Sequence, residues 1–160
     1  MKSEKGSFLK CVIILFARLL NGRINFTKEF AGRFLMMEDG KKFQIIRDLK
    51  VDPKEELEKS VAVFRVCFKF SGLPLAVNKR LSMFPTPFLI AKSGFLEKIW
   101  TFNEGGYFQG IYQFASNEDA EAYLHSFIFK LMTKRSAEGT LSHEVISETV
   151  LSDYVKKLIQ

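Results

Sequence analysis

Residues 61–70 read VAVFRVCFKF, and their strict alternation constrains the fold more than any other stretch. Ala62, Phe64, Val66, Phe68 and Phe70 fall on one face of an extended strand, and Val61, Val63, Arg65, Cys67 and Lys69 on the other. The first is a core face. The second is apolar at one end and cationic at the other, and a strand open to water on that side rarely carries two valines and a cysteine there. Both faces of the sheet built on this strand therefore need cover.

The chain after it supplies the rest of a sheet. Pro74 near a helix start and the run to Met83 predict a first helix, and Pro85 and Pro87 end it, leaving 84–90 as an apolar loop or turn. Strands follow at GFLEKIWTFN, from Gly94, and at YFQGIYQFA, from Tyr107, joined by a Glu104-Gly105-Gly106 turn. Gly110 inside the latter points to a bulge or a close approach by a neighbouring group. Ser116-Asn117-Glu118-Asp119 opens a helix with a cap residue and an acid three later, and that helix runs to about Lys134. Leu141–Val150 reads as a fourth strand and Ser152–Ile159 as a terminal helix. The order βαββαβ is the ferredoxin-like α+β arrangement, an antiparallel sheet with two helices on one face. That arrangement leaves the second face bare, and a two-fold homodimer, sheet against sheet, is the simplest cover.

Ahead of residue 61 lies an extension with an amphipathic helix over Phe8–Leu20 and a β-hairpin around Glu38-Asp39-Gly40-Lys41. The charged, Pro-containing stretch 51–60 marks the boundary, giving an extension over 1–60 and a ferredoxin-like domain over 61–160. The apolar stretch at 8–20 is too short to span a bilayer, which takes about 20 residues. It docks on its own protein or a twin subunit, or makes a peripheral membrane contact through its basic flanks. The net charge of +6 has no clustered basic stripe, which argues against nucleic acid as a partner. Cys11 and Cys67 sit in apolar runs without a second Cys or His at metal-ligand spacing, so no disulfide framework or metal site is expected, and a reducing cytoplasm fits.

From Gly94 onward the chain resembles the YdhR-type monooxygenase family. The resemblance rests on Gly94, Phe95, Leu96, Lys98, Trp100 and Thr101, then Gly110, Ile111 and Tyr112, then Ala122, Tyr123 and Leu124. It covers roughly residues 61–150. It implies a dimeric α/β barrel in which two ferredoxin-like sheets enclose a cavity, and cofactor-independent oxygenation of a small aromatic or polyketide-like compound. The extension and the Pro85-Thr86-Pro87 insertion depart from that pattern.

Oxygenation without a cofactor needs an apolar pocket, a base, and groups that hold an anion. The catalytic candidates are His143, Tyr112 and Arg65, and the substrate-binding candidates are Lys98, Trp100 and Phe102. Each has a packing role as its alternative. Trp100 can be a core or interface anchor, Lys98 can reach for water, and Arg65 can pair with Glu97 or Glu144. His143 can be a structural histidine. His125 on the second helix is a boundary residue or, in a haem-degrading barrel, an iron ligand. The alternative to an enzyme is a non-catalytic small-ligand-binding or dimerisation module. Seventeen Phe leave open whether the excess fills a core or walls a cavity.

Overall fold

The computed structural model describes residues 12–14, 16–52 and 61–160. Among the described residues, seven strands form one antiparallel sheet: β1 (Ile24–Thr27), β2 (Phe34–Met36), β3 (Lys42–Val51), β4 (Ala62–Lys69), β5 (Phe95–Phe102), β6 (Tyr107–Phe114) and β7 (Ser142–Ser147). Besides the helical residues 12–14 and 16–20, the described residues form α1 (Leu75–Leu81), α2 (Thr86–Ile90), α3 (Asn117–Leu124), α4 (Phe127–Arg135) and α5 (Leu151–Leu158). The sheet order is β1-β3-β5-β6-β4-β7, with β2 also pairing β3. Strands β4 to β7 and their helices make an α+β, ferredoxin-like unit. The extension adds to its edge, because β3 pairs with β5 through Lys50↔Glu97 and Gln44↔Phe102. A shift of register between Ile45 and Arg47 bends β3. Its first part pairs with β2 and its last part with β1. Most of the 51–60 stretch lies outside the described residues, as do residues 8–11 of the amphipathic helix.

The alternation of β4 divides the protein into two apolar layers. Ala62, Phe64, Val66 and Phe68 pack with Phe108, Tyr112 and Phe114 of β6 under Tyr123, Ile128 and Phe129 of α3 and α4. On the opposite face, Val63, Ile99 and Ile111 pack against Leu35 and Phe43 of the hairpin and Leu151, Tyr154 and Val155 of α5. The second face, bare in a minimal ferredoxin-like unit, is thus filled from within the chain.

Three local departures from the sequence pattern have simple causes. The long second helix is divided, because the Ser126 hydroxyl accepts a hydrogen bond from Phe129 N–H and starts α4 afresh. The apolar run after Pro85 is helical, since prolines at the first turn give up no needed N–H. The terminal helix begins at Leu151 because Gln113 of β6 seats it. The Gln113 side-chain carbonyl accepts from Leu151 N–H, and its amide donates to Thr149 O at 3.2 Å and Ala62 O at 3.1 Å.

Among the described residues no helix is long and apolar enough to cross a membrane. Ile13, Phe16, Leu19 and Leu20 of the N-terminal helical residues are nonetheless exposed, and the Arg18 guanidinium donates to Ile90 O. Replacing Gln113 with Leu strips the start of α5 of its partners. Unfolding in urea is expected to need about 3 kcal/mol less. An unchanged midpoint would show that α5 is held by its apolar face alone.

Candidate functional site

The central hairpin β5–β6 and the helices above it line a small, partly open apolar cavity of about 60 Å³. Lys98 and Trp100 of β5 and Tyr112 of β6 form its floor. The α1–α2 connector, Ser82 to Pro85, and Tyr123, Met132 and Arg135 close it. The floor residues share a face because two-residue spacing along β5 and pairing with β6 bring Lys98 opposite Tyr112. Trp100 lies opposite Gly110, and a Cβ on Gly110 would stand 2.6 Å from the Tyr112 ring. The missing side chain is what lets Tyr112 lie close over its own strand. The pairing continues in register through Gly110, so the glycine serves a close approach and not a bulge.

Lys98 is the unusual group. It is 4% exposed, and its Nζ lies 4.4 Å from the Trp100 ring centroid and 4.7 Å from that of Tyr112. Among the described residues it makes no hydrogen bond or ion pair. Desolvation pulls its amine down to about 7. Burial pushes the Tyr112 phenol up to about 12, and Tyr123, whose hydroxyl donates to Tyr112 at 3.5 Å, well above its usual range. Both tyrosines therefore stay protonated donors at neutral pH. Trp100 Nε1–H donates to Ser82 O at 3.3 Å and ties the connector to the floor. Arg135 donates to Asn78 Oδ1 at 3.3 Å, and its guanidinium lies 4.7 Å from the Phe70 ring centroid.

The other candidates lie elsewhere. Phe102 is half-buried in a separate groove with Phe34 and Lys42, and the Lys79 ammonium stands 3.4 Å from its ring centroid. Arg65 is on the opposite face, where it pairs with Glu144 at 2.9 Å and Glu38 at 3.1 Å. His143 is exposed on the edge strand, its ring centroid 5.6 Å from that of Phe129. Arg65 and His143 line an open cleft of about 430 Å³ that also includes Cys67. Burial pushes the Cys67 thiol up to about 11, so it is not a ready nucleophile. Among the described residues no three or more His, Cys, Asp or Glu side chains group to hold a metal ion.

Tyr123, on the apolar face of α3, and Arg135, in the last turn of α4, also line the cavity, and neither is among the candidates drawn from the sequence. The readable signal for Tyr123 was a phenol in the middle of that face, since a buried tyrosine hydroxyl needs a partner. Nothing along the chain pointed to the backbone carbonyl of Ser82.

No protein-family model and no curated protein matches the chain. Among solved structures it is similar to a ferredoxin-fold protein from Listeria monocytogenes 4b F2365, described as uncharacterized and related to antibiotic biosynthesis monooxygenases. The TM-score is 0.50 at 10% identity, over 80% of this chain and 93% of that one. An anthrone oxidase-like protein is similar at 15% identity and TM-score 0.44, over 68% of this chain and 57% of that one. This chain thus spans little more than half the length of the latter. The likeness is one of fold.

The buried amine has a measurable signature. An unfolded lysine keeps its proton to about pH 10.4, whereas folded Lys98 loses it near 7. Between those values the unfolded state binds more protons, so this group makes stability rise with pH. Lys98→Met is expected to be more stable than the parent below pH 7, by at most about 5 kcal/mol, with the gap closing towards pH 10. Thermal melts of both proteins across that range check it. A gap independent of pH would mean that Lys98 is not desolvated.

Proposed function

We propose that the cavity binds a small apolar or aromatic compound with a weakly acidic C–H, and that the chain acts on it as a cofactor-independent monooxygenase of the YdhR type. The observation that carries this reading is the Lys98 amine, buried between two aromatic rings with no acid beside it. A neutral amine in an apolar site accepts a proton from the substrate carbon. The carbanion gives electrons to dioxygen. Overall a CH₂ group and O₂ become a carbonyl and water, with the protein unchanged. Tyr112, held protonated, donates to the oxygen anion that develops. Trp100 supplies a flat wall. Arg65 and His143 take no part in this scheme, which departs from the roles their residue types suggested.

Size sets a condition. A cavity of about 60 Å³ holds one or two waters, whereas benzene occupies one of about 150 Å³. An aromatic substrate therefore enters only if the Ser82–Pro85 connector swings outward. Phe84 on that connector is 62% exposed, so moving it uncovers little packed surface. Oxygen uptake with a dihydroxynaphthalene, alongside quenching of Trp100, the single tryptophan, tests the reading. Uptake that falls about 100-fold in Lys98→Met supports it. Quenching without uptake favours the non-catalytic ligand-binding module, and neither response removes both.

The exposed Ile13, Phe16, Leu19 and Leu20 favour a second contact. We propose that this face rests on an anionic lipid surface, to which the net +4 of residues 1–60 is complementary. Flotation with phosphatidylserine vesicles is expected to fall when residues 1–22 are deleted. Equal flotation of the two forms rejects the contact.

A further inference from the structure

We propose that Lys98 captures short-chain aliphatic aldehydes as a covalent imine in the cavity between β5, β6 and the α1–α2 connector. This goes beyond oxygenation and does not depend on it. The required parts are an amine with no competing partner, an apolar enclosure and a proton donor, and all three meet here. Lys98 Nζ lies against the faces of Trp100 and Tyr112 and, among the described residues, makes no hydrogen bond or ion pair. No carboxylate lines the cavity to hold the amine as an ammonium.

The charged and titratable groups facing Lys98 are few. Tyr112 comes from β6 and Tyr123 from α3, and both stay protonated. From α4 comes Arg135, held by Asn78. The connector contributes none. Across the sheet edge, β3 sets Leu49 opposite Lys98 and Arg47 opposite Trp100. None of these is an anion at neutral pH, so the low proton affinity that burial imposes on Lys98 is left uncompensated. A desolvated lysine of this kind is a nucleophile where a surface lysine is not.

The step balances without an oxidant. The nitrogen lone pair attacks the carbonyl carbon, a C–N bond forms, and the carbonyl oxygen takes a proton. The carbinolamine then loses that oxygen as water while nitrogen gives up its remaining protons, leaving C=N. One aldehyde and one amine become one imine and one water. Tyr112, whose ring centroid lies 4.7 Å from Nζ and whose phenol stays protonated, serves as the donor to the leaving oxygen. The pocket favours a short carbonyl chain, since a ring needs a wider outward swing of the Ser82–Pro85 connector than a chain of two or three carbons does.

The test uses the full chain, under nitrogen, with propanal as the probe and cyanoborohydride to trap the imine. Hydride adds to the imine carbon and a proton to nitrogen, and peptide mapping locates the N-propyl-lysine. At pH 7 a surface lysine has about a thousandfold smaller neutral fraction than Lys98. Lys98 is expected to label about tenfold or more faster than any other lysine, with the lead shrinking towards pH 10. Lys98 labelled no faster than the surface lysines at pH 7 overturns the proposal. In denaturant the lead should vanish, and a lead that survives would assign the reactivity to local sequence and overturn it too. Benzaldehyde, which needs the wider opening, is expected to give Lys98 a smaller lead over the surface lysines than propanal does, and an equal lead would refute the size preference. Because no oxygen or aromatic substrate is present, failure here leaves the oxygen-uptake result untouched.

Discussion

The sheet is apolar on both sides, and everything else in the structure answers that constraint. Burying a large aliphatic or aromatic side chain contributes about 1.5–3 kcal/mol, so neither face can be left wet. The first face takes α2, α3 and α4. The second takes the hairpin of the extension and α5. Gln113 joins the two solutions, because it sits in the middle strand and reaches backbone groups at the start of α5. The cavity is where the first cover is incomplete, between the Ser82–Pro85 connector and the central hairpin.

β5 shows how the same constraint creates chemistry. Glu97 and Lys98 are neighbours in sequence, and in water they could pair. The pleat sends them to opposite faces, so each is desolvated alone. Burial and the nearby Asp48 push Glu97 up to about 8, while burial pulls Lys98 down to about 7. The two groups meet in the middle of the pH scale from opposite ends. On the second face Lys50 still reaches Glu97 at 3.5 Å. On the first face nothing plays that part for Lys98.

The strand and helix order from residue 61 was legible because it is written locally. Alternation marks β4, the Gly105-Gly106 turn marks the β5–β6 hairpin, and Ser116 marks α3. Ser126 was equally local, but the apolar spacing of the flanking helices runs through it and hides the break. The placement of the extension was not legible. β3 finds the edge of β5 through backbone hydrogen bonds, which any sequence can make, so no side chain announces the pairing. At the site, the shared face of Lys98 and Trp100 followed from two-residue spacing. Arg65 was also readable in part, since its parity opposes that of Phe64. What could not be read was the register that sets Phe64 opposite Tyr112 and thereby puts Arg65 and the phenol on opposite sides. His143 falls within the strand read over Leu141–Val150, yet that strand is the sheet edge and gives its side chains little enclosure.

The seating of α5 has a consequence for how the chain is made. This helix follows every strand it covers, so a growing chain carries a finished apolar face that only the hairpin covers until α5 emerges. β4 deepens the problem, since its partners β6 and β7 are synthesised long after it. Such late, long-range closure slows folding and leaves sticky intermediates. The tie from Gln113 is thus a latch that closes only after all seven described strands are made, as well as a contact of the finished fold, and a ribosome-bound chain stalled before Leu151 should be a species in need of a chaperone.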